Sequence, residues 1–384
     1  MATLQLQHLR KVFPGDIRAV DDLSLEVVSG ELLAVIGPSG CGKTTMLRLI
    51  AGLETPSAGT VCIGDRDVTD LAPAARNVAM AFQDHALYPH LDVYENLAFA
   101  LRLRGAKAAA FDADVRQMAE RLQIDCLLHR QVHELSEGQR QRVALGRALV
   151  RQPDCFLLDE PLGSLDETLR GQLREEIRRL HRELTTTMIF VTHDQHEAMM
   201  LGDRIAVLDE GRLQQCGTPE QVYRHPVNRR VATLIGTPTM NFLSGTIDRS
   251  NDAYHFDAGQ WKMPLSATHT GELDCRLSEA DNREVLLGVR PQAVSMISAS
   301  ATEAADRASV CSARVERVRP LGDVLQLQLA LPGERSLIAI VASNMDVREG
   351  ANCTIQFDSQ GVHLFEAVGD GANLLRDGAA VGGV

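Results

Sequence analysis

The sequence predicts an α/β domain over a mostly parallel sheet, followed by a smaller all-β domain of barrel-like character. Three observations carry this. Short apolar runs alternate with segments of helical period through the first two thirds of the chain, as in sheets covered on both faces. A glycine-rich turn lies between one such run and the helical segment after it. Around residues 237–245 (TPTMNFLSG) the texture changes, and short alternating runs dominate beyond it.

The elements follow in order. LQLQHL and LSLEV alternate and read as strands, and LLAVIG reads as a buried strand. After the glycine turn, Thr44 to Ala51 (TTMLRLIA) is helical, and residues 60–82 return to strand character. From Tyr94 to Leu149 the pattern is mostly helical, with VYENLAFALRLR and VRQMAERLQI as its clearest segments. CFLLDE at 155–160 is a buried strand, and the helix after it carries Leu169, Leu173, Ile177, Leu180 and Leu184 on one face. MIFVTH, HEAMML and RIAVLDEG then read as strand, helix and strand. In the second domain Val324 to Ala330 alternates, with Leu325, Leu327 and Leu329 inward and Gln326 and Gln328 outward. The Gly- and Ala-rich residues 369–384 read as a disordered tail.

Composition removes several classes. The 384 residues leave room for two or three domains of about 100–200 residues each. A net charge of −12, acidic in both domains, argues against nucleic acid as a partner. No run of about 18 apolar residues occurs, so no membrane span is expected. The start, MATLQLQHLR, lacks a basic end followed by an apolar stretch, so no secretory leader is expected. The eight cysteines are scattered without a C-x-x-C pair and read as reduced thiols. Only four lysines occur, which draws attention to Lys43 in the glycine turn.

Gly37-Pro38-Ser39-Gly40-Cys41-Gly42-Lys43-Thr44, with Thr45 behind it, matches the phosphate-loop pattern G-x-x-x-x-G-K-[ST]. Its context, a strand before and a helix after, is the one that gives the pattern meaning. Glycines let backbone N–H groups turn toward phosphate oxygens, and the helix amino end favours the anion. Lys43 reaches the β- and γ-phosphates of a nucleotide, and the Thr44 hydroxyl can ligate Mg²⁺. Asp159-Glu160 ends the CFLLDE strand, where ligands of open parallel sheets bind. Asp159 is assigned to Mg²⁺ and Glu160 to the base that activates water.

Leu135-Ser136-Glu137-Gly138-Gln139, before the helical run RQRVALGRALV, reads locally as a helix start with Ser136 as N-cap. With the phosphate loop, Asp159-Glu160, Ser164-Leu165-Asp166 and His193, it resembles the ATP-binding cassette of ABC transporters across residues 4–235. The resemblance implies an α/β P-loop NTPase, an ABC cassette over residues 1–237 with a helical subdomain at roughly 87–150. GTPTMNFLSG, LGVRPQAV and VERVRPLGDVLQLQL resemble the regulatory domain of sugar-importer cassettes of the maltose or glycerol-3-phosphate type. That implies a small all-β, OB-like barrel regulatory and dimerisation domain over 238–368.

The resemblance also implies roles. Gln83 matches the glutamine that senses Mg²⁺ and the attacking water; His193 matches the histidine that contacts the γ-phosphate. Ser136, Gly138 and Gln139 match the signature that binds the γ-phosphate held by the opposite subunit, and Asp166 matches the carboxylate of the adjoining loop. Phe13 falls where the family stacks an aromatic ring on adenine. Leu87, Tyr88 and Pro89 fall where a helix of each membrane subunit docks. The usual signature has two glycines, and Glu137 replaces the first. ATPase activity is expected to be retained at a lower rate, and Glu137→Gly to raise it.

ATP and Mg²⁺ are therefore the expected cofactors. A homodimer, or a dimer with a related cassette, is expected, because the signature acts on the partner's nucleotide. The expected partners are two transmembrane permease subunits and, indirectly, an extracytoplasmic solute-binding protein. The expected place is the cytoplasmic face of the bacterial inner membrane, peripherally bound. The implied task is uptake of a carbohydrate, polyol or glycerol-3-phosphate-like solute. Polyamine, sulfate and ferric-iron importers share the layout, and a soluble ABC ATPase outside transport is the distant alternative.

Overall fold

The structure, a computed structural model, describes residues 2–81, 86–103, 108–163, 165–250, 253–265, 284–297, 310–333, 335–358 and 361–375. The chain divides into two compact units, the first running to Pro219 and the second spanning Glu220–Ala380.

The first unit opens with β1 (Leu4–Phe13), β2 (Ile17–Val27), β3 (Leu32–Ile36) and α1 (Lys43–Ala51). It continues with β4 (Ala58–Ile63), β5 (Arg66–Asp67), β6 (Val78–Ala81), α2 (Val93–Leu103), α3 (Ala108–Arg121) and α4 (Glu137–Leu149). Then come β7 (Cys155–Asp159), α5 (Glu167–Leu184), β8 (Thr187–Val191), α6 (Gln195–Leu201), β9 (Arg204–Asp209) and β10 (Arg212–Gly217). The main sheet has six strands in the order β10-β9-β3-β8-β7-β6, parallel except for β10 at one edge. Every residue of β3, β7 and β8 is buried, because helices and a second sheet cover the two faces. The second sheet is antiparallel, in the order β2-β1-β4-β5.

Among the described residues, two large apolar clusters hold this unit. One joins the second sheet to α1 and one face of the main sheet, through Leu6, Val35, Met46 and Leu157. The other joins α2–α5 to the opposite face, through Leu97, Leu122, Phe156 and Leu173. The strand character read over 60–82 is narrower than expected. Between β5 and β6 the chain turns at Pro73–Ala75, where Pro73 opens a single 3₁₀ turn. Arg76 fastens that turn by donating to the carbonyls of Leu49, Ile50, Thr69 and Leu71.

The second unit begins with two short helices, α7 (Pro219–Arg224) and α8 (Arg229–Leu234). Its strands are β11 (Asn241–Ser250), β12 (Ala253–Asp257), β13 (Lys262–Pro264), β14 (Glu284–Val289) and β15 (Val294–Ile297). They continue with β16 (Val310–Pro320), β17 (Val324–Leu331), β18 (Arg335–Ala342), β19 (Asn352–Phe357) and β20 (Val362–Glu366). They form two five-stranded sheets, β13-β12-β11-β14-β20 and β15-β19-β16-β17-β18, which share one core. In β17, Leu327 and Leu329 are fully buried as alternation requires, whereas Leu325, beside the turn before the strand, is only half-buried.

Two features of this unit differ from the sequence reading. The helices before residue 238 belong with the barrel. Buried Arg290 donates to the backbone carbonyls of Tyr223, Ala232 and Ile235, and its guanidinium lies 4.5 Å from the Tyr223 ring centroid. Residues 369–375 are ordered rather than frayed. Asn373 is buried, donates from Nδ2 to Pro226 O at 2.9 Å and from its backbone to Val227 O at 2.9 Å, and Leu374 joins the core. Residues 376–384 of the expected tail, and Cys275, lie outside the described residues.

Candidate functional site

The glycine loop begins where β3 ends. A Cβ on Gly37 would meet the Leu208 carbonyl oxygen of β9 at 2.1 Å, so the loop leaves the sheet through a gap that admits no side chain. Gly42 has φ of 104°, and a Cβ there would meet the Ala19 carbonyl oxygen at 2.1 Å. Between these anchors Pro38, Ser39 and Gly40 are exposed, and a Cβ on Gly40 would meet nothing within 4 Å. The loop is thus pinned at both ends and open in the middle, at the amino end of α1. Cys41 is buried, and burial pushes its thiol pKa up.

Lys43 is buried, and its ammonium donates to Gly37 O at 2.8 Å and Pro38 O at 2.9 Å. The cation spans the loop on two carbonyls and the Cys41 sulfur, 3.9 Å away, where a phosphate would offer it stronger, charged acceptors. Thr44 Oγ1 donates to Asp159 Oδ1 at 3.1 Å, joining the start of α1 to the end of β7. Thr45, one residue on, is partly buried. Burial raises the Asp159 carboxyl above its ordinary range, the neighbouring Glu160 charge adds to this, and the Thr44 hydrogen bond opposes it. A hydroxyl and a carboxylate in contact, both hard oxygen donors, fit Mg²⁺.

Glu160 sits just past β7 with φ of 46°, a left-handed backbone uncommon outside glycine. Its N–H donates to Val191 O at 3.0 Å, which ties it to the end of β8. That tie brings it to His193, whose Nδ1 lies 3.0 Å from Glu160 Oε2. Gly37, Asp159-Glu160 and His193 therefore gather at the carboxyl ends of β3, β7 and β8, adjacent parallel strands. β6 ends at the same edge, with Ala81 paired to Leu158. Gln83, two residues further on, lies outside the described residues, as does Ser164. Phe13, at the end of β1, is partly buried, with the Lys11 ammonium 4.9 Å from its ring centroid.

The signature residues form a separate group at the amino end of α4. Ser136 caps the helix: its Oγ accepts from Gln139 N–H at 3.4 Å, and its own N–H donates to Gln139 Oε1 at 3.0 Å. Gly138 packs on α5, since a Cβ there would meet Leu169 Cδ1 at 2.6 Å. Asp166 caps α5 by accepting from Leu169 N–H at 3.0 Å. The contacts described keep Ser136 and Gln139 at the start of α4, Gly138 against α5 and Asp166 at the start of α5, and those contacts do not reach the glycine loop. Glu137 pairs with Arg140, Oε2 to Nη2 at 2.6 Å and to Nε at 3.2 Å.

Sequence reading passed over Arg170. Its Nη2 donates to Leu165 O at 3.1 Å, and it lies 3.8 Å from Asp194 and 3.7 Å from buried Glu197. Glu197 in turn accepts from Thr192 Oγ1 at 2.5 Å. Arg170 so links the segment carrying Asp166 to the segment carrying His193. Its local partners, Leu165 O and Glu167, would not have marked it; the two carboxylates that give it this role, Asp194 and Glu197, reach it only through tertiary packing. Among the residues read as a docking surface, Leu87 packs on the core and Pro89 is exposed. Tyr88 helps line a cleft of about 300 Å³ with Leu53, Met80, Phe99 and Arg147.

A glycine loop, an acidic strand end and a histidine on adjacent parallel strands define a P-loop NTPase. Comparison with known proteins narrows the class. Residues 20–163 match the ABC transporter family, 236–294 the MalK OB fold domain and 287–365 the TOBE domain. The chain is 41% identical, over 96% of its length and 99% of the relative's, to the sn-glycerol-3-phosphate import ATP-binding protein UgpC 3 of Agrobacterium fabrum. It is 44% identical, over 95% and 98%, to the trehalose/maltose import ATP-binding protein MalK of Thermococcus litoralis. It is 42% identical, over 96% and 98%, to the sulfoquinovosyl glycerol transport ATP-binding protein SmoE of A. fabrum. Among solved structures, cbiO1 of Clostridium perfringens, part of the ABC transporter complex cbiONQ, superposes with a TM-score of 0.54 at 26% identity, covering 57% of this chain and 89% of its own. The chain belongs to the ATP-binding proteins of the ABC transporter family, and it is an ATPase. Among the described residues no helix is long and apolar enough to cross a membrane.

Proposed function

We propose that this chain drives uptake of a carbohydrate, polyol or glycerol-3-phosphate-like solute through separate membrane permeases. The observation that carries it is end-to-end similarity, at 41–44% identity, to import or transport proteins named for glycerol-3-phosphate, trehalose/maltose and sulfoquinovosyl glycerol. ATP lies along the glycine loop, with Lys43 turning from the Gly37 and Pro38 carbonyls to the β- and γ-phosphates. The amides of 38–45 hold the phosphates, and Phe13 stacks on the adenine. Thr44, Asp159 and Gln83 would hold Mg²⁺, which when bound would offset phosphate charge. Glu160 takes the proton of the attacking water, and His193, oriented by the same carboxylate, contacts the γ-phosphate.

Ser136, Gly138 and Gln139 serve the nucleotide of a second subunit, and Asp166 lies at that junction. Their separation from the glycine loop within one chain supports this reading. Two chains, or this chain and a related cassette, close on two ATP molecules and reopen after hydrolysis. The barrel unit aids dimerisation and regulation. The complex sits on the cytoplasmic face of the inner membrane with two permeases and, across it, a solute-binding protein. Affinity purification from detergent-solubilised membranes of the source organism, with mass spectrometry of the retained proteins, tests this. Two polytopic permeases should be recovered; recovery of soluble partners alone would remove the transport role and leave the ATPase.

A further inference from the structure

The amino end of α4 carries an electrostatic conflict. The helix dipole places roughly half a positive charge there, which favours an anion. Glu137 occupies the first helical position and places a full negative charge there. An approaching γ-phosphate would meet a carboxylate on the surface meant to attract it. The structure contains a remedy: Arg140, one turn along on the same face, straddles Glu137 Oε2 with Nη2 at 2.6 Å and Nε at 3.2 Å. The next carboxylate back, Glu134, is engaged elsewhere, accepting from Gln131 N–H at 2.7 Å. The capping box uses only Ser136 and Gln139, so the serine hydroxyl proton stays available to a phosphate oxygen.

We propose that Arg140 is a positioning residue that draws the Glu137 carboxylate aside and neutralises it, so that the signature keeps its attraction for the partner's γ-phosphate. This rests on the reading that the signature meets ATP in trans. The pair also alters the expectation for Glu137→Gly. The charge removed is already neutralised, so the gain is smaller than the bare sequence implies.

The test uses the full chain in a Glu160→Gln background, where hydrolysis does not dissolve the dimer. The quantity read is the ATP concentration giving half-maximal dimer by analytical ultracentrifugation. Arg140→Gln is expected to raise it on the order of tenfold, the effect of one unmasked charge several ångströms from a phosphate at a partly screened surface. Adding Glu137→Gln should bring it back to within roughly threefold, and 0.5 M salt should shrink the gap. ATP affinity of the monomer should stay the same in every variant, which a folding defect would not allow. The proposal is overturned if Arg140→Gln leaves the midpoint in place. It is equally overturned if the double variant stays as weak as the single, because Arg140 would then act by a contact of its own. Failure of the parent to dimerise with ATP at any concentration is a distinct result that removes the trans reading itself, and the proposal with it.

Discussion

Asp159 and Glu160 are neighbours with opposite demands. Asp159 is 8% exposed and its pKa is raised, first by burial. The folded state therefore favours its proton, so holding it ionised costs stability once pH rises above its folded value. That cost vanishes below the unfolded pKa near 4. Asp159→Asn is thus expected to raise the melting temperature of the nucleotide-free protein at pH 8 by ~2–4 °C, the shift that about 1 kcal/mol produces in a unit of this size. The same variant should lose most of the further stabilisation that Mg-ATP confers; thermal scans with and without nucleotide read both effects, and unchanged stabilisation by Mg-ATP would take Asp159 out of the metal site. Glu160 is more accessible and faces His193. Glu160→Gln keeps the shape but cannot accept a proton, so ATP binding should persist while turnover falls by about 10²–10⁴. A steady-state phosphate assay showing near-normal turnover would exclude Glu160 as the base.

At the scale of elements, two devices set positions that no local propensity specifies. The parallel order β3-β8-β7 aligns three strand ends and makes one site from segments far apart in sequence. In the second unit Arg290 gathers the ends of α7 and α8 onto the barrel through three carbonyls. Burial lowers its pKa to about 10, so it stays charged at neutral pH. Arg290→Met keeps much of the volume but strands those carbonyls, at a cost of about 2–4 kcal/mol. Circular dichroism should show an earlier melt of this unit with ATPase rate per folded chain unchanged; a melt at the parent temperature would mean that water serves the carbonyls equally well.

For the whole molecule, the change of texture near residue 237 and the division of the fold at Pro219 are different boundaries. A fragment beginning at Glu220 retains the carbonyl partners of Arg290 and the Pro226 and Val227 carbonyls that accept from Asn373. One beginning at residue 238 loses them all. Expressed separately, the longer fragment should be soluble and melt cooperatively, and the shorter should aggregate or melt at least ~10 °C lower. Equal stability would show that the helices merely accompany the barrel. The sequence signalled the barrel by alternation, as at Leu327 and Leu329, but α7 and α8 are too short for periodicity to assign them to either neighbour. The ordered stretch at 369–375 was hidden similarly: its anchor, Asn373, is a polar residue in a Gly- and Ala-rich context, and the Pro226 carbonyl that it meets lies 147 residues earlier.

The amino-acid sequence by itself determined whatever is local. The glycine loop is eight consecutive residues whose backbone must turn and whose lysine must follow. The acidic pair ends an apolar run, and the signature serine caps the helix after it. Such features depend on residue type at short spacing, and they sufficed to point to an ATP-binding cassette. Tertiary structure decided what meets what. It set Thr44 against Asp159 across 115 residues and Glu160 against His193 across 33, and lodged Arg170 between two loops. It also showed Arg140 drawing in the Glu137 side chain, a choice the i,i+3 spacing permits without requiring. The reason is physical: strand order and helix packing minimise exposed apolar surface over the whole chain, and only that global solution fixes distances between distant polar groups.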